Sequence, residues 1–168
     1  VEETEISLII RGNSFYTSLE GPSWEEAEGK AVKLGGHLVT INDSEENDWL
    51  VSQYYGNGKL SENLDNKNVW IGYTDKNIEG NWEWISGETV DFINWAADEP
   101  NSNHPQGLDD YAGMGLIDYQ SWRQLGDWID AHNNPSLLRF GIAEIPFIRR
   151  NDSAYVIVEG PSWEEAEA

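Results

Sequence analysis

The densest chemistry in this sequence is acidic. Between Lys76 and Arg123 lie 46 residues without one Lys or Arg, and nine of them are acids: Glu79, Glu83, Glu88, Asp91, Asp98, Glu99, Asp109, Asp110 and Asp118. Carboxylates gathered so closely repel one another unless a cation sits among them. Oxygen donors of flexible geometry select calcium over zinc, and calcium takes roughly six to eight oxygens, which Asp, Glu, Asn and backbone carbonyls can supply. A site of the extracellular kind would have a Kd of about 0.1–1 mM. At ten times Kd, binding would stabilise the fold by roughly 1.4 kcal/mol. The alternative is a solvated acidic loop that holds no particular ion.

Other chemistries fit less well. The chain has no Cys, which excludes disulfides, thiolate metal sites and Cys nucleophiles. His37, His104 and His132 show no metal-ligand spacing. His37 reads as structural at the start of a strand. Asp75-x-Asn77-x-Glu79-Gly80 matches the first half of an EF-hand loop, but Ser86 stands where the closing Glu is needed and the flanks read as strands. Adjacent Asp109 and Asp110 could mimic a glycosidase pair, yet metal ligation suits them better. No nucleophile elbow or phosphate-cradling glycine loop occurs, so no enzyme is expected.

The whole chain shares this acidity. Its 168 residues carry a net charge of −21, which repels phosphate backbones and anionic membranes and argues against nucleic acid as a partner. Apolar residues at 39% and aromatics at 12% are enough for a core. No apolar stretch approaches the roughly 18 residues needed to cross a membrane, so no insertion is expected. The acidic start Val1-Glu2-Glu3-Thr4-Glu5 lacks the features of a signal peptide and an initiator Met, and reads as a segment of something longer.

Elements to hold these acids are legible. Residues 5–20 alternate loosely as one or two strands with a turn at Gly12-Asn13. Ser23-x-x-Glu26 is a capping box, Trp24, Ala27, Ala31 and Leu34 share a helical face, and Gly35-Gly36 ends the helix. His37–Ile41 reads as a short strand. Asp43-x-x-Glu46 opens a second helix, with Trp49, Leu50, Gln53 and Tyr54 at helical spacing and Gly56-Asn57-Gly58 as its stop. Asn68–Tyr73 reads as a buried strand, and Trp82, Trp84 and the Gly87 turn as another. From about residue 86 to 110 the pattern is lost, as in a functional loop. Short strands return at Tyr111–Ile117, around Trp122 and Trp128, and at Leu138–Ile145. Trp70, Trp82, Trp84 and Trp95 read as core beneath the loop; Trp95 or Trp122 could instead stack on a sugar face. Two early helices followed by many short strands make an α+β domain.

The chain also contains the start of a second copy of itself. Glu20-Gly21-Pro22-Ser23-Trp24-Glu25-Glu26-Ala27-Glu28 recurs as Glu159–Glu167, an offset of 139 residues. The match extends backwards through Glu5 and Glu144, Ile6 and Ile145, Ile9 and Ile148, Arg11 and Arg150, Ser14 and Ser153, and Tyr16 and Tyr155. The period is domain-sized. The expectation is a tandem array, with a domain over residues 5–146 and the truncated start of the next over residues 147–168. Edge-strand self-association through this second copy is expected.

The order of these landmarks resembles the C-type lectin-like domain. The carriers are Trp24-Glu25-Glu26-Ala27, Gly35-Gly36-His37-Leu38-Val39-Thr40-Ile41, Asn42-Asp43-Ser44-Glu45-Glu46-Asn47 and Trp70-Ile71-Gly72. Thr74-Asp75 with Glu79-Gly80, Asn94-Trp95, Glu99-Pro100-Asn101, Trp128-Ile129-Asp130 and Phe140-Gly141-Ile142-Ala143-Glu144 follow. The resemblance covers roughly residues 13–146. It implies two helices flanking short antiparallel strands, with a long loop that carries calcium and sugar. Its calcium ligands would be Glu99 and Asn101, flanking a cis proline, with Asp109 and Asp130. Glu99, Asn101 and Asp109 would also bind the sugar. A supporting calcium site would use Asp75, Glu79 and Asp110, with Ser102 at the place of a further acid. Ile129 stands where the family has a ligand Asn and supplies no oxygen. The family's half-cystines correspond to Ala31, Tyr111 and Ile142, among others, so packing replaces covalent bonds and the Cys-free form implies a bacterial-type member. The implied function is calcium-dependent carbohydrate binding, mannose-type, by a secreted or cell-surface adhesion or recognition protein whose partner is a carbohydrate or glycoprotein. The alternative is a module that keeps the fold without the sugar site and serves structure or protein interaction.

Overall fold

Ser23 and Asp43 start the two helices as their chemistry dictates. Each has an extended backbone, and each side-chain oxygen accepts from the amide three residues on, Ser23 Oγ from Glu26 at 3.2 Å and Asp43 Oδ1 from Glu46 at 2.8 Å. Helix α1 spans Trp24–Lys33 and α2 spans Ser44–Tyr54. Past α1, Gly35 takes the left-handed conformation (φ +85°) and donates to Val32 O at 2.9 Å, while Gly36 donates to Ala31 O at 3.1 Å. This double closure satisfies the last carbonyls of the helix, and glycine suits the first position because it has no Cβ. The computed structural model describes residues 8–56, 68–101, 109–116, 123–133, 138 and 140–157.

The strands are β1 (Ile9–Arg11), β2 (Ser14–Glu20), β3 (His37–Leu38), β4 (Asn68–Thr74), β5 (Glu83–Trp84), β6 (Tyr111–Gly115), β7 (Trp128–Ala131), β8 (Phe140–Arg150) and β9 (Ser153–Val156). The sheet order is β1-β2-β8-β4-β6-β7, with β3 and β9 on β8 and β5 on β4. All pairings are antiparallel except β4 with β8. This is the α+β arrangement that the pattern predicts. Several strands differ in length from expectation, among them β6, which ends at Gly115 and not at Ile117. The predicted strand from His37 to Ile41 stops at Leu38, because β4 and β8 part there and Val39 bonds to both, donating to Ile142 O at 2.8 Å and accepting from Gly72 at 2.9 Å. The last long strand runs on from Ile145 to Arg150, across the expected domain boundary at residue 146, and turns back into β9.

The main core lies between α2 and the sheet, with Val39, Ile41, Leu50, Val69, Ile71, Met114, Trp128 and Ile142 buried together. Side chains at the three half-cystine positions are buried. Ala31 packs with Ala143 and Ile145, Tyr111 lies 4.9 Å from the Trp24 ring, and Ile142 belongs to the main core. The face of α2 differs from expectation: Glu46, Asn47, Leu50 and Tyr54 are buried, while Trp49 and Gln53 are half-buried. The two polar groups go inside because both are hydrogen-bonded. Glu46 Oε2 accepts from Asn42 N at 3.0 Å, one residue before the cap, and its Oε1 accepts from Tyr16 at 2.8 Å. Asn47 Oδ1 accepts from the Trp128 indole at 3.0 Å.

Candidate calcium and sugar site

The site begins at β7. Its Trp128 donates to Asn94 O at 2.7 Å and accepts from Ala96 N at 2.8 Å, which binds the start of the long loop to the sheet edge. Beneath this seam the rings of Tyr73, Trp82, Trp84, Trp95 and Trp128 form one cluster, with centroids 4.6–6.0 Å apart for the contacting pairs. Trp84 and Trp128 are buried, and Trp82 and Trp95 half-buried; Trp70, predicted with Trp82, Trp84 and Trp95 beneath the loop, is buried instead in a separate cluster with Trp24 and Tyr111. The indole of Trp122 and the ring of His104 lie outside the described residues, as do Ser102 and Asp118.

Beyond Ala96 the chain turns through Asp98 (φ +64°) and a cis Glu99–Pro100 bond, with Glu99 N donating to Ala96 O at 3.1 Å. This turn brings three of the predicted ligands together. The Asn101 amide side chain donates to Glu99 Oε2 at 2.6 Å, and the Asn101 backbone N donates to Asp130 Oδ2 at 3.0 Å. Asp130 is buried on β7 opposite Ala112. The Glu99 carboxyl is pushed up to about 8, first by burial, then by its hydrogen bond to Asp130 and the negative charge there. The charge of Asp130 beside it thus disfavours an ionised Glu99 when no cation is present. Asp109 adds its charge to Glu99 from across the loop, and its Oδ1 stands 4.0 Å from His132 Nδ1.

Arg123 opposes that push on Glu99. It is buried against Gly115, where a Cβ would meet its Nε at 3.0 Å. Sequence reasoning used Arg123 only as the end of the acidic stretch. A basic residue closing a long acid run is the sole local signal of this inner cation. Ile129 pairs with Gly113 on β6, is half-buried and brings no oxygen.

The second cluster sits where β4 ends. Thr74 Oγ1 donates to Asp110 O at 2.7 Å and Asp75 N donates to the same carbonyl at 3.1 Å, so Asp75 and Asp110 are locked side by side. Asp75 is only 2% exposed. Its Oδ2 accepts from Gly80 N at 2.8 Å, but its buried Oδ1 has no hydrogen-bond partner among the described residues. Burial raises the Asp75 carboxyl, with further push from Glu79 and Asp110. Asp110 is raised by burial, by Glu79 and by Asp109, against Lys76. Asp109 therefore couples the two clusters.

Among the described residues, no three His, Asp or Glu side chains stand together at metal-holding distance as placed. Their donor chemistry nonetheless fits a hard cation: all-oxygen groups, carboxyls raised by burial and then by mutual repulsion, and one orphaned buried oxygen. His37, by contrast, is structural. Its Nδ1 lies 2.7 Å from Glu28 Oε1, whose other oxygen accepts from Leu38 N at 2.8 Å.

Known proteins share this architecture. The model of the "Lectin C-type domain" matches residues 20–134. The chain is 33% identical over 92 residues to a perlucin-like protein of Mytilus galloprovincialis, covering 54% of this chain and 55% of that protein. It is 34% identical over 96 residues to C-type lectin domain family 4 member F of Rattus norvegicus, covering 55% of this chain and 16% of the relative. The chain thus spans about half the length of the first and a sixth of the second. Among solved structures, the cow C-type carbohydrate-recognition domain of CD23, determined in the presence of GlcNAc2Man3 oligosaccharide, is 26% identical with a TM-score of 0.67 over 84% of this chain and 95% of that one. A family match over more than half of its length means that this chain belongs to the C-type lectin domain family.

Proposed function

We propose that this domain is a calcium-dependent carbohydrate-binding module, mannose-type in preference. It would serve an extracellular adhesion or recognition protein whose partner is a carbohydrate or glycoprotein. The observation that carries this reading is the convergence of Glu99, Asn101 and Asp130 in one oxygen-lined turn. Glu99, Asn101, Asp109 and Asp130 would hold the ion, and Asp75, Glu79 and Asp110 a supporting one. When bound, calcium supplies coordination positions for two vicinal sugar hydroxyls. Glu99 and Asp109 accept hydrogen bonds from those hydroxyls, and the Asn101 amide, freed from Glu99, donates one. Asp130 orients the turn through the Asn101 backbone. The half-buried Trp95 lies in the floor of the loop rather than on a sugar-facing surface. The cow CD23 domain, solved with a mannose-containing oligosaccharide present, supports the sugar class.

Ile129 favours a second reading, in which the fold and a calcium are kept but the module binds protein or serves structure. Calorimetric titration with methyl α-mannoside, in calcium and then in chelator, separates the two. The first reading predicts millimolar binding in calcium and none in chelator. Absence of binding in both, with a calcium-dependent melting temperature, overturns the sugar and retains the second reading.

A further inference from the structure

The hairpin β8–β9 repeats the hairpin β1–β2 in register. Arg11 pairs with Ser14, Ile10 with Phe15 and Ile9 with Tyr16; at the 139-residue offset, Arg150 pairs with Ser153, Arg149 with Ala154 and Ile148 with Tyr155. Both turns place a left-handed residue first, Gly12 at φ +57° and Asn151 at φ +53°. Over residues 8–17 and 147–156, identity between the strands of the two copies is confined to one face. Ile9, Arg11, Ser14 and Tyr16 recur unchanged, whereas Leu8, Ile10, Phe15 and Thr17 become Phe147, Arg149, Ala154 and Val156. Side chains on a strand alternate between faces, so over these paired residues one face has been kept and the opposite one changed.

The two faces have different surroundings. In the first hairpin the kept face meets the main core: Tyr16 is 2% exposed, Ile9 packs against that core, and Arg11 lies over the Trp49 ring at 5.4 Å; of the other face, Thr17 is buried and Phe15 packs on the Ala31–Ala143–Ile145 cluster, while Leu8 and Ile10 are exposed. In the second hairpin the kept face is bare, with Ile148 and Tyr155 each 56% exposed. The changed face is docked. Phe147 is buried, its ring 4.4 Å from Phe15, and its backbone N donates to Asn13 O at 2.9 Å. Val156 packs on the Ala31–Ala143–Ile145 cluster. A Cβ on Gly35 would meet Val156 Cγ1 at 2.7 Å and would collide with the Ile157 carbonyl, so the glycine that closes α1 also makes room for the second hairpin.

We propose that Phe147–Val156 is a rigid joint between consecutive units of this chain. Its Phe147–Val156 face fixes it to the preceding unit, and its Ile148–Tyr155 face is the first layer of the following unit's core. Because β8 closes one unit and opens the next, no flexible linker separates them. This rests on reading residues 147–168 as the start of a further unit.

Docking is tested on the 168-residue chain by hydrogen exchange and amide heteronuclear relaxation. The β9 amides are expected to be as ordered as those of β2. Phe147→Ser should lower their protection by roughly tenfold or more, and Ile148→Ser by less than about threefold, with the β4 amides as the check that the first unit remains folded. Unprotected β9 amides in the wild-type chain, or equal loss from both substitutions, overturns the joint. The core role is tested by nitration of Tyr155 in the 168-residue chain and in the natural full-length protein. Reaction in the first and protection in the second is expected; equal reaction overturns it. A natural chain whose measured mass leaves no room for a further unit overturns the repeat reading, and the docking result stands apart from that.

Discussion

At the residue scale, the informative groups are carboxyls held where their charge is unwelcome. Asp75 Oδ1 is buried without a partner while Glu79 and Asp110 press on it. Asp75→Asn keeps an acceptor for the Gly80 amide and removes the repulsion. Its metal-free melting temperature should equal or exceed that of the parent. Its calcium-induced gain, about 1.4 kcal/mol at ten times Kd, should shrink. Thermal melts with calcium and with chelator check both halves, and an undiminished calcium gain would remove Asp75 from the ligand set. Glu144 is the second case. The Tyr16 hydroxyl lies 2.8 Å from Glu46 Oε1 and 3.0 Å from Glu144 Oε1. That hydroxyl carries one proton, so a proton on Glu144 closes the second contact. Burial is the main cause that raises Glu144 above its ordinary value of 4.5. The folded state therefore keeps this proton after the unfolded state has lost it, and stability falls as pH rises from the ordinary value through the raised one. Glu144→Gln should flatten that fall in urea denaturation followed as pH is raised from the ordinary value of 4.5. An unchanged slope would assign it to other carboxyls.

At the element scale, the latch between α2 and β7 is the Asn47–Trp128 hydrogen bond. Asn47→Leu would leave a buried indole N–H without its acceptor, at a cost of about 1–3 kcal/mol in urea denaturation. A change below about 0.5 kcal/mol would show that the ring finds another acceptor. Helix α1 was readable in full, because its cap, apolar stripe and Gly-Gly stop are all local. The buried face of α2 was not. Glu46 and Asn47 look like surface residues until Tyr16 and Trp128 arrive from 30 and 81 residues away. The length of β8 was hidden for a related reason, since pairing with Ser14 of β2 and then with β9 carries it past Ile145. In the site, Glu99, Asn101 and Asp130 were legible through motif order, and the structure brings them together. Arg123 was not, because its place at the end of the acid run does not tell a buried cation from a solvated one.

At the scale of the whole molecule, a net charge of −21 sets the problem that the fold must solve. Several carboxyls are raised rather than paired, Glu99 to about 8 and Asp75, Asp110 and Glu144 in the same direction. Three of these four belong to the two proposed ion-binding clusters, so the acidity is concentrated where a divalent cation would relieve it. Among the described residues no helix is long and apolar enough to cross a membrane. The chain belongs to the C-type lectin domain family, and the proposed function rests on one turn. That claim is tested most directly on a glycan array probed in calcium with the parent protein and with Glu99→Ala. Mannose-type glycans should bind the parent and not Glu99→Ala; binding that survives the substitution would remove this turn as the sugar site.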